Sequence, residues 1–197
     1  PPRSTLFPYT TLFRSLTLSR IAVIPLLVVL FYWDNSVSRW VALGLFSMAA
    51  ITDFFDGYFA RSLDQHSLLG RMLDPIADKL LVASIVLMLV AFQRAPVLAA
   101  LVILCRELSV SGLREFLAEI RVGMPVSRLA KWKTFIQMFA IGFLLVGEVG
   151  PTFFHPTITT LLIGEILIWI AAALTLVTGY DYLRLGWRHL HEPVEGQ

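Results

Sequence analysis

Residues 53–78 read DFFDGYFARSLDQHSLLGRMLDPIAD and place four aspartates, Asp53, Asp56, Asp74 and Asp78, inside two otherwise apolar segments. On insertion scales, one unpaired charged side chain at the centre of a membrane helix costs about 2.5–3.5 kcal/mol. Carboxylates persist in such a place when a cation shares the site, and oxygen ligands suit a hard divalent ion such as Mg²⁺ or Mn²⁺. The stretch therefore predicts two membrane helices that carry a metal site.

The composition of the whole chain also favours a membrane protein. The 197 residues are 57% hydrophobic and 15% charged, and the mean hydropathy is +0.74. Average soluble domains are about 45–50% apolar and about 25% charged. We therefore expect one integral membrane domain in a lipid bilayer and, with a net charge of only +2, no nucleic-acid partner. The single cysteine, Cys105, excludes an internal disulfide and a thiolate metal cluster.

Turn signals divide the chain into apolar segments and predict an all-α fold. The six expected transmembrane helices cover about residues 16–33, 39–61, 72–92, 95–117, 127–147 and 158–184. We expect the membrane domain to comprise residues 16–185. Residues 1–15 are expected to be a non-native N-terminal segment and residues 186–197 a cytoplasmic tail.

The polar residues of these six segments cluster at one end if successive helices alternate in direction. Every Lys and Arg among the total of 16, except Arg39 and Arg94, then falls on the same side of the membrane. By the positive-inside rule that side is cytoplasmic, and both termini lie there. We therefore expect a polar cavity in the cytoplasmic half of a plasma-membrane protein. Independent snorkelling at helix ends explains Arg184 and Arg188, but it does not explain four aspartates.

The spacing of the aspartates predicts that they converge. Asp53 and Asp56 are three residues apart, and Asp74 and Asp78 are four apart, so each pair shares a helix face. The short 62–71 loop is expected to make the second and third helices antiparallel neighbours. Two divalent ions about 3.5–4 Å apart are the usual way to hold such carboxylates together in phosphoryl transfer. A purely structural alternative pairs them with the basic residues Arg61, Arg71 and Lys79.

A second polar cluster is basic and lies on the fourth and fifth segments. Arg106 and Arg114 are eight residues apart, and Arg128 and Lys131 are three apart, so each pair lies close to one helix face. This excess of positive charge beside a predicted divalent-metal site suggests an anionic substrate whose phosphate these four residues bind. The alternative is anchoring to anionic lipid, which applies above all to Arg121 and Lys133.

The stretch from Asp53 resembles the signature of the CDP-alcohol phosphotransferases, which are integral membrane enzymes. Its pattern, D-x2-D-G-x2-A-R-x8-G-x3-D-x3-D, matches at all eight fixed positions. The resemblance implies that Asp53, Asp56 and Asp74 hold metal ions bound to the CDP pyrophosphate. Asp78 would hold the second metal and act as the catalytic base. The CDP-lipid would be bound by Thr17, Gly57, Ala60, Arg61, Ser67 and Gly70.

The stretch CRELSVSGLREFLAE, from Cys105 to Glu119, resembles the branch of this family that makes phosphatidylglycerol phosphate. That resemblance implies transfer of a phosphatidyl group from CDP-diacylglycerol to glycerol 3-phosphate, release of CMP, and a homodimeric enzyme. One alternative is a related enzyme with another acceptor, giving cardiolipin or phosphatidylinositol phosphate. Another is a divalent-cation transporter. The ion path of a transporter should be lined by acidic residues through the whole membrane, yet the outer halves of the second and third segments contain none.

Overall fold

A computed structural model describes residues 7–63, 68–119, 127–152 and 158–191. Within these ranges, the backbone but not the side chains is described for residues 7–18, 53–63, 68–75, 78, 118–119 and 185–191. The described residues form six α-helices and no strand, which confirms the all-α prediction. The helices are α1 (Phe7–Trp33), α2 (Ser36–Leu63), α3 (Leu68–Ala91), α4 (Val97–Glu119), α5 (Arg128–Val146) and α6 (Thr160–His191). A short 3₁₀ turn, Gly147–Val149, follows α5.

Each predicted segment corresponds to one helix, and the largest differences lie at the two ends of the chain. Helix α1 begins at Phe7, ahead of the predicted residue 16, and α6 continues to His191, beyond residue 184. The sequence prediction followed the apolar runs, which report what fits into hydrocarbon. A helix need not end where its apolar run ends, because its backbone hydrogen bonds are satisfied internally in water as well as in lipid.

Polar side chains start three of the helices where the sequence has its turn signals. At α2, Asn35 Oδ1 accepts a hydrogen bond from the Ser38 amide at 2.8 Å, and Ser38 Oγ accepts one from the Asn35 amide at 2.9 Å. Ser127 Oγ accepts from the Ala130 amide at the start of α5, and Thr159 Oγ1 accepts from the Leu162 amide at the start of α6. These bonds satisfy amides that have no partner in the first turn of a helix.

The tightest packing in the bundle joins α5 to α6. A Cβ atom on Gly164 of α6 would lie 2.8 Å from the Leu144 side chain and 3.0 Å from the Leu144 amide nitrogen. Only glycine therefore allows these two helices to approach so closely, as is common where membrane helices pack. The core also contains buried residues from the other helices: Leu27, Phe46, Ile85, Leu89 and Ile103.

Three connections of the bundle meet in a polar cluster that we call the clamp, formed by Asp34, Arg39 and Arg94. Asp34 lies between α1 and α2, and its Oδ1 accepts hydrogen bonds from Arg39 Nε at 2.8 Å and from Arg94 Nη2. Arg94 lies between α3 and α4, and its Nη1 donates to the Leu145 carbonyl near the end of α5. Its guanidinium also lies 5.4 Å from the ring centroid of Phe31.

The clamp establishes that successive helices alternate in direction, because it brings together the α1–α2 turn, the α3–α4 turn and the end of α5. Arg39 and Arg94, the two basic residues that the sequence set apart from the others, therefore share one end of the bundle. We call the opposite end, with Lys79, Glu107, Lys133 and Tyr182, the polar end.

Helices α2 and α3 each pack against several other helices of the bundle. Helix α1 packs against both of them, α2 also packs against α5, and α3 also packs against α4 and α5. Among the residues whose side chains are described, no Cα atom of α2 lies within 8 Å of one of α3. Whether α2 and α3 are neighbours where they carry the aspartates depends on side chains outside the described set, and this pairing stays a prediction.

The outer surface of the bundle is apolar. Large exposed hydrophobic side chains occur on all six helices, for example Leu26, Val41, Leu87, Leu101, Phe139 and Leu176. Two stretches, Arg128–Val149 and Thr160–Arg184, are long and apolar enough to cross a membrane. The apolar parts of three others are shorter: Ser19–Trp33, Ser36–Thr52 and Lys79–Ala91. An apolar surface of this extent is what a lipid-embedded protein presents.

We predict that Asp34→Asn destabilises the protein, because it leaves the Arg94 cation, which is 7% exposed, without its carboxylate. Asparagine tolerates the positive φ of 33° at this position, so the loss is electrostatic. We expect a loss of about 1–3 kcal/mol in the free energy of unfolding, below that of a fully buried pair because Asp34 is partly exposed. Thermal unfolding in detergent measures the change, and Asp181→Asn on the exposed surface of α6 is the control.

The stabilisation should also depend on pH. The hydrogen bond from Arg39, together with the charge of Arg94, lowers the pKa of the Asp34 carboxyl from its usual 3.8. Because the pKa is lower in the folded than in the unfolded protein, the contribution is complete above the usual value and is lost as the pH falls through the folded-state value. The difference in Tm between wild type and Asp34→Asn should therefore be constant near neutral pH and shrink below about pH 4. A difference independent of pH down to about 3 would contradict the assignment.

Candidate functional site

The aspartates of the predicted metal site lie on two helices. Asp53 and Asp56 are in α2, and Asp74 and Asp78 are in α3, so the backbone at all four positions has the helical geometry that the spacing argument requires. Their side chains lie outside the described set, as do those of the predicted CDP-lipid residues Thr17, Gly57, Ala60, Arg61, Ser67 and Gly70. Among the side chains that are described, no three His, Cys, Asp or Glu residues are arranged to hold a metal.

A cavity of about 630 Å³ opens at the polar end between α4, α5 and α6. It brings together three of the four basic residues that the sequence assigned to an acceptor phosphate, namely Arg106, Arg114 and Lys131. The fourth, Arg128, is an exposed residue at the start of α5 and is not part of the cavity wall. The cavity is also lined by Glu107 and by Tyr182 of α6. Three cationic side chains in one concave site fit an anionic ligand.

Arg106 is the most constrained of these basic side chains. Its Nη2 donates a hydrogen bond to Thr178 Oγ1 at 3.2 Å, and its guanidinium carbon lies 5.5 Å from the centroid of the Tyr182 ring. Its Nη1 lies 3.4 Å from Glu107 Oε2. The side chain is only 13% exposed, so the positive charge of Arg106 is held in a fixed position at the cavity wall.

Glu107 links Arg106 to a buried lysine on α5. Lys133 is 1% exposed, and its ammonium donates a hydrogen bond to Glu107 Oε2. Removing one partner of such a buried pair costs about 3–5 kcal/mol, because the other charge stays buried without compensation. Lys133 therefore does not anchor the protein to anionic lipid, which was the alternative considered for it. Since Lys133 neutralises Glu107, the positive charge of Arg106 is not cancelled.

Lys79 joins α3 to α4 beside the aspartate-bearing part of α3. Its ammonium donates to Ser111 Oγ and lies 3.4 Å from Glu115 Oε1. Ser111 Oγ also donates to Glu115 Oε1 at 3.3 Å. Among the described side chains, the partners of this ammonium lie on α4.

An apolar groove of about 460 Å³ runs along α2 and α5. It is lined by Trp40, Leu43 and Phe46 of α2 and by Phe139, Gly142 and Val146 of α5, among others. Ala50 and Met138 line both this groove and the polar cavity. The apolar groove thus adjoins the cationic cavity, and this arrangement matches the two parts of a lipid with an anionic head group.

Two residues of the site, Thr178 and Tyr182, were not singled out by sequence reasoning. Thr178 and Tyr182 come from α6, whose sequence gives a nearly continuous apolar pattern, and no local signal points to them. Glu107 and Lys133 did carry a signal, because a charged residue inside an apolar helix usually has a partner within the protein. Their pairing across a separation of 26 residues could not be read from the sequence.

Comparison with known proteins finds a clear match. Residues 11–177 match the family model described as CDP-alcohol phosphatidyltransferase. A protein of Rickettsia typhi, named CDP-diacylglycerol–glycerol-3-phosphate 3-phosphatidyltransferase, is 50% identical over 169 residues, covering 86% of this chain and 93% of the relative. Proteins with the same name from Cereibacter sphaeroides and Bacillus subtilis are 38% and 35% identical, over 90% of this chain and 96% and 95% of their own lengths.

Proposed function

The chain belongs to the CDP-alcohol phosphatidyltransferase family, and we propose that it transfers the phosphatidyl group from CDP-diacylglycerol to sn-glycerol 3-phosphate. The products are phosphatidylglycerol phosphate and CMP. In this reaction a primary hydroxyl of glycerol 3-phosphate attacks the phosphorus that carries the diacylglycerol. A P–O bond to the CMP phosphate breaks, CMP leaves, and the hydroxyl proton passes to a base.

The observation that carries the proposal is the junction of the cationic cavity with the apolar groove. Arg106, Arg114 and Lys131 provide charge-assisted donors for the phosphate of the acceptor. The groove along α2 and α5 provides an apolar surface for an acyl chain of the lipid substrate. Because Ala50 and Met138 border both spaces, a lipid in the groove has its head group beside the basic residues.

The periodicity of α2 supports a position for Asp53 next to this junction. Asp53 and Gly57 follow Ala50 by three and seven residues, so by helical register they share the face on which Ala50 meets the cavity. The four carboxylates are oxygen donors, a ligand set that fits a hard divalent ion. Asp53, Asp56, Asp74 and Asp78 would hold Mg²⁺ or Mn²⁺, which when bound neutralises the pyrophosphate charge and favours departure of CMP.

The residues of the chain then have separate tasks. Arg106, Arg114 and Lys131 hold the phosphate of glycerol 3-phosphate, and this contact also orients its attacking hydroxyl. Asp78 accepts the proton of that hydroxyl. Gly57, Ala60 and Arg61 bind the nucleotide and its phosphates, in line with the family signature. Positioning and charge stabilisation account for most of the rate in such a transfer, since little covalent help is required.

We place the polar end in the cytoplasmic half of the plasma membrane, with all six helices spanning it, and keep the homodimer expected from the family resemblance. In a Cys105→Ala background, cysteines at Ser36 and Gln93 should react with an impermeant reagent from the outer face. Cysteines at Gln65 and Gly123 should react only from the cytoplasm. The reverse pattern would exclude this orientation.

We predict that Asp78→Asn abolishes turnover and leaves binding of CDP-diacylglycerol largely intact, because the main task of Asp78 is to accept the acceptor proton. Asp53→Asn and Asp74→Asn should lose metal and nucleotide binding together. Calorimetric titration with CMP and the divalent ion measures the binding, and a radiolabel assay measures turnover. Equal loss of binding in all three variants would show that Asp78 has no separable role as a base.

The acceptor assignment predicts a selective change in KM. Neutralising Arg106, Arg114 or Lys131 to Gln should lower kcat/KM for glycerol 3-phosphate roughly 10- to 150-fold, as expected for one lost charge-assisted phosphate contact. The KM for CDP-diacylglycerol should change little. Because the phosphate contact also orients the hydroxyl, part of the effect can appear in kcat.

Arg128→Gln is the matched control, since Arg128 is basic and near Lys131 but lies outside the cavity wall. It should resemble wild type. Purified wild-type enzyme should also be compared on CDP-diacylglycerol with glycerol 3-phosphate, glycerol, phosphatidylglycerol and inositol phosphate. Equal use of glycerol, or normal kinetics in all three Gln variants, would refute the named reaction and leave the basic residues as a lipid anchor.

A further inference from the structure

We propose that three residues of α6, Thr178, Gly179 and Tyr182, form a cradle that positions Arg106 and thereby determines the affinity for the phosphorylated acceptor. The proposal rests on the acceptor site described above and adds specificity-determining residues to it. None of the three is charged. They act through Arg106, and we therefore regard them as positioning residues.

The first contact fixes the aliphatic part of the arginine. A Cβ atom at Gly179 would lie 2.9 Å from Arg106 Cγ and 3.8 Å from its Nε. A separation under 3.0 Å is closer than carbon atoms approach without a shift, so even an alanine at this position displaces the side chain of Arg106. The absence of a side chain at Gly179 therefore allows the stem of Arg106 to lie directly on α6.

The second contact fixes the orientation of the guanidinium. Thr178 Oγ1 donates to the Leu174 carbonyl at 2.8 Å, so its hydrogen is engaged within α6. The free lone pairs of the same oxygen accept the hydrogen bond from Arg106 Nη2. A hydroxyl has only one hydrogen to donate, and the bond to Leu174 thus makes Thr178 a fixed acceptor for Arg106.

The third contact connects Arg106 to the helix that carries Lys131. The ring of Tyr182 faces the Arg106 guanidinium, and its hydroxyl oxygen accepts a hydrogen bond from the Ser127 amide at 3.3 Å. Ser127 is the residue that caps α5 through the Ala130 amide. Tyr182 therefore fixes the start of α5 relative to Arg106, and with it the separation between two cationic groups of the cavity.

The physical benefit is preorganisation. A free arginine side chain loses rotamer entropy when it is fixed. In this site the contacts with α6 fix Arg106 before the ligand arrives, so ligand binding does not bear that cost. Because the benefit applies only to the phosphate of the acceptor, loss of the cradle should change the KM for glycerol 3-phosphate and not that for CDP-diacylglycerol.

The test compares four variants with wild-type enzyme in detergent. Thr178→Val keeps the shape and removes the acceptor oxygen, and Thr178→Ser restores the oxygen. Gly179→Ala displaces the stem of Arg106. Gly44→Ala is the control, because a Cβ at this helical glycine meets nothing within 4 Å. Thermal protection by CMP verifies in each variant that the nucleotide site is folded.

We expect Thr178→Val and Gly179→Ala to raise the KM for glycerol 3-phosphate by about tenfold, with the KM for CDP-diacylglycerol within about twofold of wild type. Thr178→Ser and Gly44→Ala should resemble wild type. Normal acceptor kinetics in Thr178→Val, or a parallel rise of both KM values, would overturn the cradle. Failure of the proposed function is distinguishable from failure of the cradle, since the wild-type enzyme itself would then not use glycerol 3-phosphate.

Discussion

Charged groups inside a membrane protein require partners within the protein, because the surrounding hydrocarbon offers none. The pair of Lys133 and Glu107 shows how far this requirement shapes the fold. Lys133 is almost completely buried on α5, and its counter-charge comes from α4. The same carboxylate lies beside Arg106, which in turn rests on α6. Together these contacts join three helices, and the cavity is the space that they leave between them.

The division of the site into a cationic chamber and an apolar groove follows from how the helices differ in composition. The part of α4 that lines the cavity carries charged residues at helical spacing, whereas the facing parts of α2 and α5 are apolar as far as Ala50 and Met138. A substrate whose two ends differ in polarity can therefore be bound in one orientation only. This arrangement requires no movement of charge through the hydrocarbon, since the anionic head group stays on the polar side of the junction.

Much of the fold could be predicted from the sequence because the apolar runs and their breaks are local signals. The turn at Asp34, Asn35 and Ser36, for example, is also where α2 begins and is capped. The asymmetry of the charges predicted correctly that Arg39 and Arg94 share one end. The sequence could not predict that both contact a single carboxylate, because that contact joins residues 60 positions apart. The sequence also grouped Arg128 with Lys131 because they are three residues apart, whereas the cavity wall includes only Lys131.

The basic cluster of Arg106 and Arg114 shows a second limit of what the sequence can predict. Helical spacing predicted that Arg106 and Arg114 share a face, and both do line the cavity. The spacing gave no information on how firmly each side chain is held. That property depends on Gly179, Thr178 and Tyr182, which belong to an apolar helix far along the chain. Local patterns identify which residues carry charge, but the order of a charged side chain depends on tertiary neighbours.

The position of the clamp has a mechanical consequence. Asp34 and Arg94 fasten the α1–α2 and α3–α4 turns to each other, and Arg94 also fastens the end of α5. Helices α1 to α5 are thus joined at the end of the bundle that is remote from the cavity. Any separation that admits a lipid from the side must pivot about that joint, and its amplitude grows with distance along the helices. The widest displacement then falls at the polar end, where the head group has to enter.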